Sequence, residues 1–296
     1  MLIRSWYINK FKIVSNLILD NLGKLYLVGT PIGNLEDITL RAIRILKEVD
    51  LIAAEDTRHT GKLLQHLSVL TPQISYNEHN HQSRVKELVD RLQRGDSIAL
   101  VTDAGMPSIS DPGVELVRAA IAHNITVIPI PGGTAVISAL AASGLATDRF
   151  TFEGFLPHKH SDRITRLELF RSETRTVVLY EAPHRLIRTL QDLVTVVGET
   201  REIVLARELT KIHEEFWRGQ IQDAIAMYTN ERQPKGEYTL VIQGVAETSL
   251  ITSEAELKRE FQQLLDRGMT RSQASRQLAK LTTMSRREIY QLDLDE

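Results

Sequence analysis

The sequence predicts two successive α/β layers followed by a small helical tail, and three observations carry that expectation. Short apolar runs alternate with segments of helical period from Lys24 to about Gln243. Several of the loops between them are rich in Gly and Pro. After Gly244 the chain turns polar, helix-prone and free of Pro.

In the first layer, Leu25–Val28, Leu51–Ala54, Ile98–Thr102 and Thr126–Ile130 read as strands. Thr39–Glu48, Ser83–Arg94 and Val114–His123 read as amphipathic helices between them. Strands that are apolar at nearly every position, with helices in between, imply a mostly parallel sheet covered on both faces. The second series has strands near Phe150–Phe155, Thr176–Tyr180, Glu202–Arg207, Glu215–Arg218 and Tyr238–Gln243. Its helices are expected near Arg163–Arg171, Arg185–Val197 and Ile221–Asn230, after a small-residue helix over Thr134–Ser143. The expected domains are therefore 24–133 and 134–247, with a helical extension over 252–296 and an N-terminal extension over 1–23.

Composition narrows the function classes. At 296 residues the chain exceeds one compact core and suits two α/β domains with an appendage. A net charge of −2 advertises no global nucleic-acid field, so any such site is a local patch. Without a single Cys there are no disulfides, thiolate zinc sites or Cys nucleophiles, which fits a reducing compartment. No apolar run reaches the roughly 20 residues that cross a bilayer. Lys10, Lys12, Asn16 and Asp20 interrupt every apolar stretch of the first 23 residues, so no signal-peptide core forms there. The expected location is the cytoplasm, with no membrane partner. His79 and His81 cluster with Glu78, but Asn77 and Gln82 make this an exposed loop, and no metal is expected.

Ligands of open α/β sheets bind beyond the carboxyl ends of the strands, and four loops there are unusual. Gly29-Thr30-Pro31-Ile32-Gly33-Asn34 fits neither the dinucleotide fingerprint nor a P-loop. Asp103-Ala104-Gly105-Met106-Pro107-Ser108-Ile109-Ser110-Asp111-Pro112-Gly113 is too long and too constrained for a simple connector. Its second half reads as a helix start, Asp111 as N-cap and Pro112 at the first helical position; its first half is left for a ligand. Pro131-Gly132-Gly133-Thr134-Ala135 lets a helix or a flat ligand approach the sheet, and Tyr180-Glu181-Ala182-Pro183-His184-Arg185 closes a strand of the second layer. Glu55, Asp56, Arg58, His184, Arg207, Glu208 and Lys235 are the chemically able side chains at strand ends. Among them Asp56, Arg58 and His184 are the candidate catalytic residues, beside a structural reading of the Glu-Asp-Arg triplet as an ion network.

Together, Gly29–Leu35, Ala54–Arg58, Asp103–Gly113, Pro131–Ala135, Tyr180–His184 and Lys235–Glu237 resemble the motif set of the tetrapyrrole methylase superfamily. They stand in its order and at its spacing from about Leu25 into the tail; the longer N-terminus is the one departure. The resemblance implies two α/β domains of tetrapyrrole methylase type with S-adenosyl-L-methionine in the cleft between them, a homodimer, and a helix-turn-helix-like C-terminal extension. It is nearest to the members that methylate a ribose 2′-hydroxyl, at cytidine 1402 in the decoding region of 16S ribosomal RNA in the small subunit. It implies cofactor contacts from Pro31, from Asp103, Ala104, Gly105, Met106, Pro107, Ser108, Ile109 and Ser110, and from Gly132, Gly133, Thr134 and Ala135. Leu156, Tyr180, Glu181, Lys235 and Gly236 would contribute from the second domain, with Phe155-Leu156-Pro157 as an apolar wall.

The tail carries the RNA expectation. Between Leu264 and Tyr290 lie six basic residues, Arg267, Arg271, Arg276, Lys280, Arg286 and Arg287, against Asp266 and Glu288, a local charge of +4. Thr270–Tyr290 reads as helix, Thr-Thr-Met break, helix, with Ser253 and Thr270 as helix caps and Met269, Ala274, Leu278, Leu281 and Ile289 as a small core. Such a module contacts phosphates first and discriminates by shape. His158-Lys159-His160 with Arg163 and Arg166 forms a second basic cluster. Two rival readings stand beside this one: the same fold acting on a tetrapyrrole or a protein side chain, and a non-enzymatic RNA-binding assembly factor. A small porphyrinoid does not need a basic module, and an assembly factor does not need shaped loops at its strand ends.

Overall fold

The computed structural model describes residues 22–245, 254–279, 282 and 284–292. The N-terminal extension up to residue 21, Ser253, Lys280 and Leu281 lie outside the described residues. The chain divides into two compact units, one up to Gly244 and one from Val245. Both expected α/β layers thus lie in a single unit, and the division falls at the tail.

The first layer is a five-stranded sheet of order β3-β2-β4-β1-β5, parallel throughout. Its strands are β1 (Lys24–Val28), β2 (Leu51–Ala54), β3 (Gln73–Ser75), β4 (Ile98–Val101) and β5 (Thr126–Ile130). Its helices are α1 (Leu40–Glu48), α2 (Thr57–His66), α3 (His81–Gln93) and α4 (Val114–Ala122). Leu51 and Ala53 of β2 with Ile98 and Leu100 of β4 pack under α3 and α4; Ile52 and Ala54 with Ala99 and Val101 pack under α1 and α2. Burial of both faces explains the unbroken apolar runs. The neighbours β1 and β4 send their following helices to opposite faces, so a crevice opens where their carboxyl ends meet.

The second layer has the order β6-β7-β10-β8-β9. These strands are β6 (Phe150–Phe155), β7 (Thr176–Glu181), β8 (Glu202–Arg207), β9 (Glu215–Gln220) and β10 (Tyr238–Ile242). Only β6 and β7 are parallel; the remaining pairs are antiparallel. One face packs under α6 (His160–Leu167), α7 (Leu186–Val197) and α8 (Ile221–Asn230); the other holds Val178, Val204 and Val241 against α5 (Ala135–Ser143). The register of β6 slips between Phe152 and Phe155, where Gly154 takes φ +61°, a bulge that re-aims the end of the strand.

The helix α2 and the three-residue β3 were not expected. Helix α2 buries only Thr60, Leu63 and Leu64 and carries Gly61, so its apolar stripe is too narrow to read. The expected helix start at Asp111 and Pro112 is corrected: α4 is capped by Gly113 at φ +151°, and a Cβ there would lie 2.3 Å from Ser108 Oγ. Asp111 is thereby free of capping duty.

Where β1 and β5 end side by side, backbone meets backbone. A Cβ on Gly29 would stand 2.7 Å from Gly132 Cα, and one on Gly132 would stand 2.8 Å from Gly29 Cα. Neither distance is compatible with a side chain. Gly133, one residue on, has only Ile32 near its open side, at 3.8 Å. Gly132→Ala should therefore destabilise the protein by about 1–3 kcal/mol in chemical denaturation. Gly133→Ala should stay within about 0.5 kcal/mol of the parent; equal losses for the two would contradict the close approach.

Candidate active site

The crevice is built by loops tied to one another. Thr30 and Gly105 exchange both backbone hydrogen bonds, at 2.9 and 3.1 Å, and Thr30 Oγ1 donates to Thr102 O at 3.0 Å. The loops after β1 and β4 thus continue the sheet as a small antiparallel bridge. From the second layer, the loop after β8 reaches the same place. Thr210 Oγ1 accepts from Asn34 N at 3.0 Å, and a Cβ on Gly33 would lie 2.5 Å from Lys211 Cγ. Glu208 and Thr210 both take left-handed φ, +51° and +64°. In the loop after β4, Ser108 and Ser110 do the same, at +72° and +62°, alongside Gly105 at +84°. Non-Gly residues in that region cost about 1–3 kcal/mol each and gather at ligand sites.

Between these loops lies a cavity of about 520 Å³, within the range of small-molecule and cofactor sites. Ala104, Gly105, Met106, Ile109, Ser110, Thr134, Ala135, Tyr180, Glu181 and His184, all expected from the sequence, line it. Pro31, Asp103, Pro107, Ser108, Gly132, Gly133, Leu156, Lys235 and Gly236 do not; several of them hold the lining residues in place. Gly132 backs Gly29, and Ser108 packs on Gly113. The Lys235 carbonyl accepts from Arg207 Nε at 2.6 Å, and Gly236 gives room to Glu208, whose carboxylate accepts from Glu237 N at 2.9 Å.

Sequence reasoning missed Ile32, Asp111, Ala206, Leu209 and Thr239 as lining residues. The antiparallel register sets Tyr180, Thr239 and Ala206 in one row across β7, β10 and β8. No local motif announces that row, because it depends on strand order. Asp111 carried the available signal, being polar in a loop already suspected, but its position before a Pro and a Gly suggested a cap instead.

Three of the expected site residues are engaged elsewhere in the fold. Asp56 caps α2, accepting from Arg58 N at 2.8 Å, and its carboxylate is paired with Arg58 Nη2 at 2.7 Å. The Arg58 side chain is 88% exposed and neither residue lines the cavity. Those hydrogen bonds hold the Asp56 carboxyl well below the usual range, so it is a poor proton acceptor. Glu181 is buried and engaged internally: Ala182 N donates to Oε1 at 2.9 Å, Thr189 Oγ1 to Oε2, and Arg185 Nε stands 3.3 Å away. It organises the wall and keeps little capacity for a ligand. His184 lines the cavity from the 3-10 turn Pro183–Arg185, with its side chain exposed.

Acids gather on the first-layer side. Burial raises the Asp111 carboxyl to about 7, helped by the nearby Glu55 and Asp103. Burial also raises Glu55, which accepts from Asp103 N at 3.2 Å and faces Asp103, Asp56 and Glu78. Asp103 keeps a buried Oδ1 without a hydrogen-bond partner among the described residues. These three carboxylates form no metal site, since among the described residues no group of three His, Asp or Glu side chains could hold an ion. The apolar walls, Ile32, Met106, Phe155 and Leu209, together with the open face of Gly105, fit a flat heterocycle attached to a polar tail.

In the second unit, α9 (Glu254–Asp266), α10 (Arg271–Leu278) and α11 (Arg286–Tyr290) close on Leu257, Phe261, Leu264, Ala274, Leu278, Ile289 and Leu292. Thr270 and Ser285 form reciprocal capping boxes with Gln273 and Glu288, which fixes both helix starts around the Thr-Thr-Met break. Met269 is 36% exposed and stands outside this core. Arg267, Arg276, Arg286 and Arg287 are exposed. Arg271 is a staple: it donates to the carbonyls of Tyr290 and Leu292 and lies 5.2 Å over the Phe261 ring. The other basic cluster is tied internally as well, for Arg163 is buried against Asp192 at 2.6 Å and Arg166 pairs with Glu153 at 2.5 Å.

Two α/β layers sharing a cleft walled by Gly-rich loops are the architecture expected of a tetrapyrrole methylase, and comparison with known proteins agrees. Residues 24–225 match the family model for Tetrapyrrole (Corrin/Porphyrin) Methylases. The chain is 59% identical over 275 residues to ribosomal RNA small subunit methyltransferase I of Synechocystis sp., covering 93% of this chain and 98% of that one. It is 49% identical over 223 residues to the protein of the same name from Escherichia coli O157:H7, covering 75% and 78%. Among solved structures, diphthine synthase aligns with a TM-score of 0.60 at 13% identity, covering 75% of this chain and 90% of that one. Uroporphyrin-III C-methyltransferase from Thermus thermophilus, in complex with S-adenosylhomocysteine, aligns at 0.54 and 18% identity, covering 74% and 97%. At such identities these two show the fold alone. The chain belongs to the tetrapyrrole methylase family and, within it, to the ribosomal RNA small subunit methyltransferase I group. It is accordingly a methyltransferase whose cofactor is S-adenosylmethionine.

The raised Asp111 carboxyl makes a signed prediction. Below pH 3.8 the group is protonated folded or unfolded, and its burial costs little. Between 3.8 and about 7 the unfolded chain ionises first, so stability falls as pH rises; above 7 that loss is complete. The melting temperature of Asp111→Asn relative to the parent should therefore climb between pH 4 and 8 and then level off. A difference that is flat with pH would place Asp111 in an ordinary aqueous setting.

Proposed function

We propose that this enzyme transfers a methyl group to the 2′-hydroxyl of a cytidine ribose in 16S ribosomal RNA, acting on the small ribosomal subunit as a homodimer. The observation that carries the reading is the extent of the kinship. The Synechocystis relative named for small-subunit ribosomal RNA methylation matches 93% of the chain, a span long enough to take in part of the tail as well as the cleft. The motif resemblance supplies the finer assignment to the ribose oxygen.

S-adenosylmethionine supplies an activated methyl group on a sulfonium. The chain's own residues bind, orient and exclude water. Gly105 and the left-handed Ser108 and Ser110 bring the backbone of the loop after β4 to the cavity. Phe155, Tyr180 and Leu209 give it apolar walls, Phe155 and Tyr180 packing with ring centroids 5.5 Å apart. Holding an acceptor oxygen in line with the methyl carbon supplies much of the acceleration by orientation alone. The exposed arginines of the second unit suit phosphate contact, which weakens as salt rises. No helix among the described residues is long and apolar enough to cross a membrane.

Incubation of the protein with small subunits and methyl-labelled S-adenosylmethionine tests the reaction. Nuclease digestion should return the label on the ribose of one cytidine; label on a base, on protein, or nowhere contradicts the reading. The RNA surface has its own test. Arg276→Glu with Arg287→Glu should weaken subunit binding by at least tenfold at low salt, flatten its salt dependence and leave cofactor affinity unchanged. Arg271→Glu should instead lower the thermal stability of the helical unit. If Arg271→Glu melts normally, the staple is wrong.

A further inference from the structure

The cavity holds six side chains that can titrate: Asp111, Tyr180, Glu181, His184, Glu237 and Tyr238. Glu181 has both oxygens engaged, as described above. Glu237 is paired with Lys211 Nζ at 2.8 Å and its side chain is 80% exposed. Tyr238 OH accepts from Lys235 N at 3.2 Å in a buried setting, and burial pushes the Tyr180 phenol upward, away from service as a base. His184 sits in an exposed turn. Asp111 differs from all of these. It is half-buried at the cavity wall, relieved of capping by Gly113, and held between Ser110 at φ +62° and Gly113 at φ +151°.

On the methyl-transfer reading above, we propose that the Asp111 carboxylate accepts the proton of the hydroxyl that becomes methylated. The O–H bond breaks and its proton passes to an Asp111 oxygen. The oxygen electron pair forms the new O–C bond. The pair of the C–S bond that breaks stays on sulfur, cancelling its positive charge. Asp111 then returns the proton to water at the open side of the cavity.

The surroundings suit that task. Facing Asp111 are Glu55 from the end of β2, Asp103 from its own loop, the Thr102 hydroxyl at the end of β4 and Tyr180 from β7. Burial and two neighbouring carboxylates make the ionised form of Asp111 a stronger base than an exposed Asp. A base whose range lies close to working pH combines ionisation with driving force, and the raised value near 7 falls there.

The test uses the full-length enzyme, small ribosomal subunits and S-adenosylmethionine. Asp111→Asn should keep cofactor affinity within about twofold by calorimetry while its single-turnover rate falls by about 100-fold or more. The parent's rate should rise with pH through about 7, and the variant's should not. Asp111→Glu should restore part of the rate and of the rising limb. A variant that transfers methyl within a few-fold of the parent overturns the proposal. So does one whose cofactor affinity drops as steeply as its rate, because Asp111 would then be a cofactor ligand. A parent profile flat between pH 5.5 and 8.5 overturns it without any variant. If the parent itself labels no RNA, the methyl-transfer reading falls too; if the parent labels RNA and Asp111→Asn keeps pace, only the role of Asp111 falls.

Discussion

Everything about the cleft depends on two glycines, Gly29 and Gly132, whose backbones touch where β1 and β5 end. With a Cβ on either, the loops would have to part by roughly an ångström to restore ordinary contact, since real Cβ atoms keep beyond 3.0 Å of other heavy atoms. Met106 Sδ is also within 2.7 Å of a Cβ built on Gly29, so the same spot fixes the loop after β4. The Thr30–Gly105 bridge then extends the sheet past its strands, and Gly33 admits the loop that carries Thr210 and Lys211 from the second layer. Three glycines thus do in backbone what a charged clamp would do elsewhere. The cavity stays largely apolar as a result, which suits a ligand bound mainly by main-chain groups and shape.

The two sides of the cleft are stiffened by opposite means. On the first-layer side, strained backbone presents carboxylates. On the second, arginines tie down carbonyl groups: Arg185 donates to Leu156 O at 2.6 Å, and Arg163 to Pro157 O at 3.3 Å and His158 O at 3.0 Å. Each guanidinium is anchored by a carboxylate of its own, Glu181 and Asp192 respectively. A buried charge pair is stable only with its remaining hydrogen-bonding capacity filled, and these carbonyls fill it. The stretch after the β6 bulge is therefore held rigidly enough to serve as a wall. The same engagement leaves Arg163 and Arg166 of the basic-looking segment from His158 to Arg166 paired with carboxylates of the second layer.

Much of this was legible in the sequence where the signal is local. Continuous apolar strands gave away a parallel sheet, and Gly and Pro marked three of the loops that meet at the cavity. What stayed hidden depends on pairing at long range. The antiparallel order of β7, β10 and β8, which brings Ala206 and Thr239 beside Tyr180, has no signature within any one strand. Asp111 was misread for a physical reason: a carboxylate before Pro-Gly is a good cap, yet a φ of +151° at Gly113 moves the helix start past it. Arg271 was misread because charge is visible in a sequence and its use is not. The carbonyls of Tyr290 and Leu292 become its partners only once α10 and α11 have folded against each other.

On the proposed reading, recognition and chemistry rest on separately packed cores. Leu257, Phe261, Leu264, Ala274 and Leu278 close the helical unit without help from the cleft residues, and the cleft is closed without them. Arg286 strengthens that independence by donating to Ser272 Oγ at 2.7 Å, tying α11 to α10. A surface whose folding does not draw on the cleft residues can change its charge without unfolding the cleft. The chain's net charge of −2 is then no obstacle to an RNA substrate. Phosphate attraction is a local property that falls off within about 10 Å at ordinary ionic strength, and the proposed reading assigns it to the exposed arginines of one short unit. The raised Asp111 carboxyl depends in turn on its burial and on the acids around it, and a basic field spread over the whole molecule would pull it back down. A methyltransferase that must both attract a polyanion and keep a proton acceptor near neutrality is served by placing the two demands in different cores.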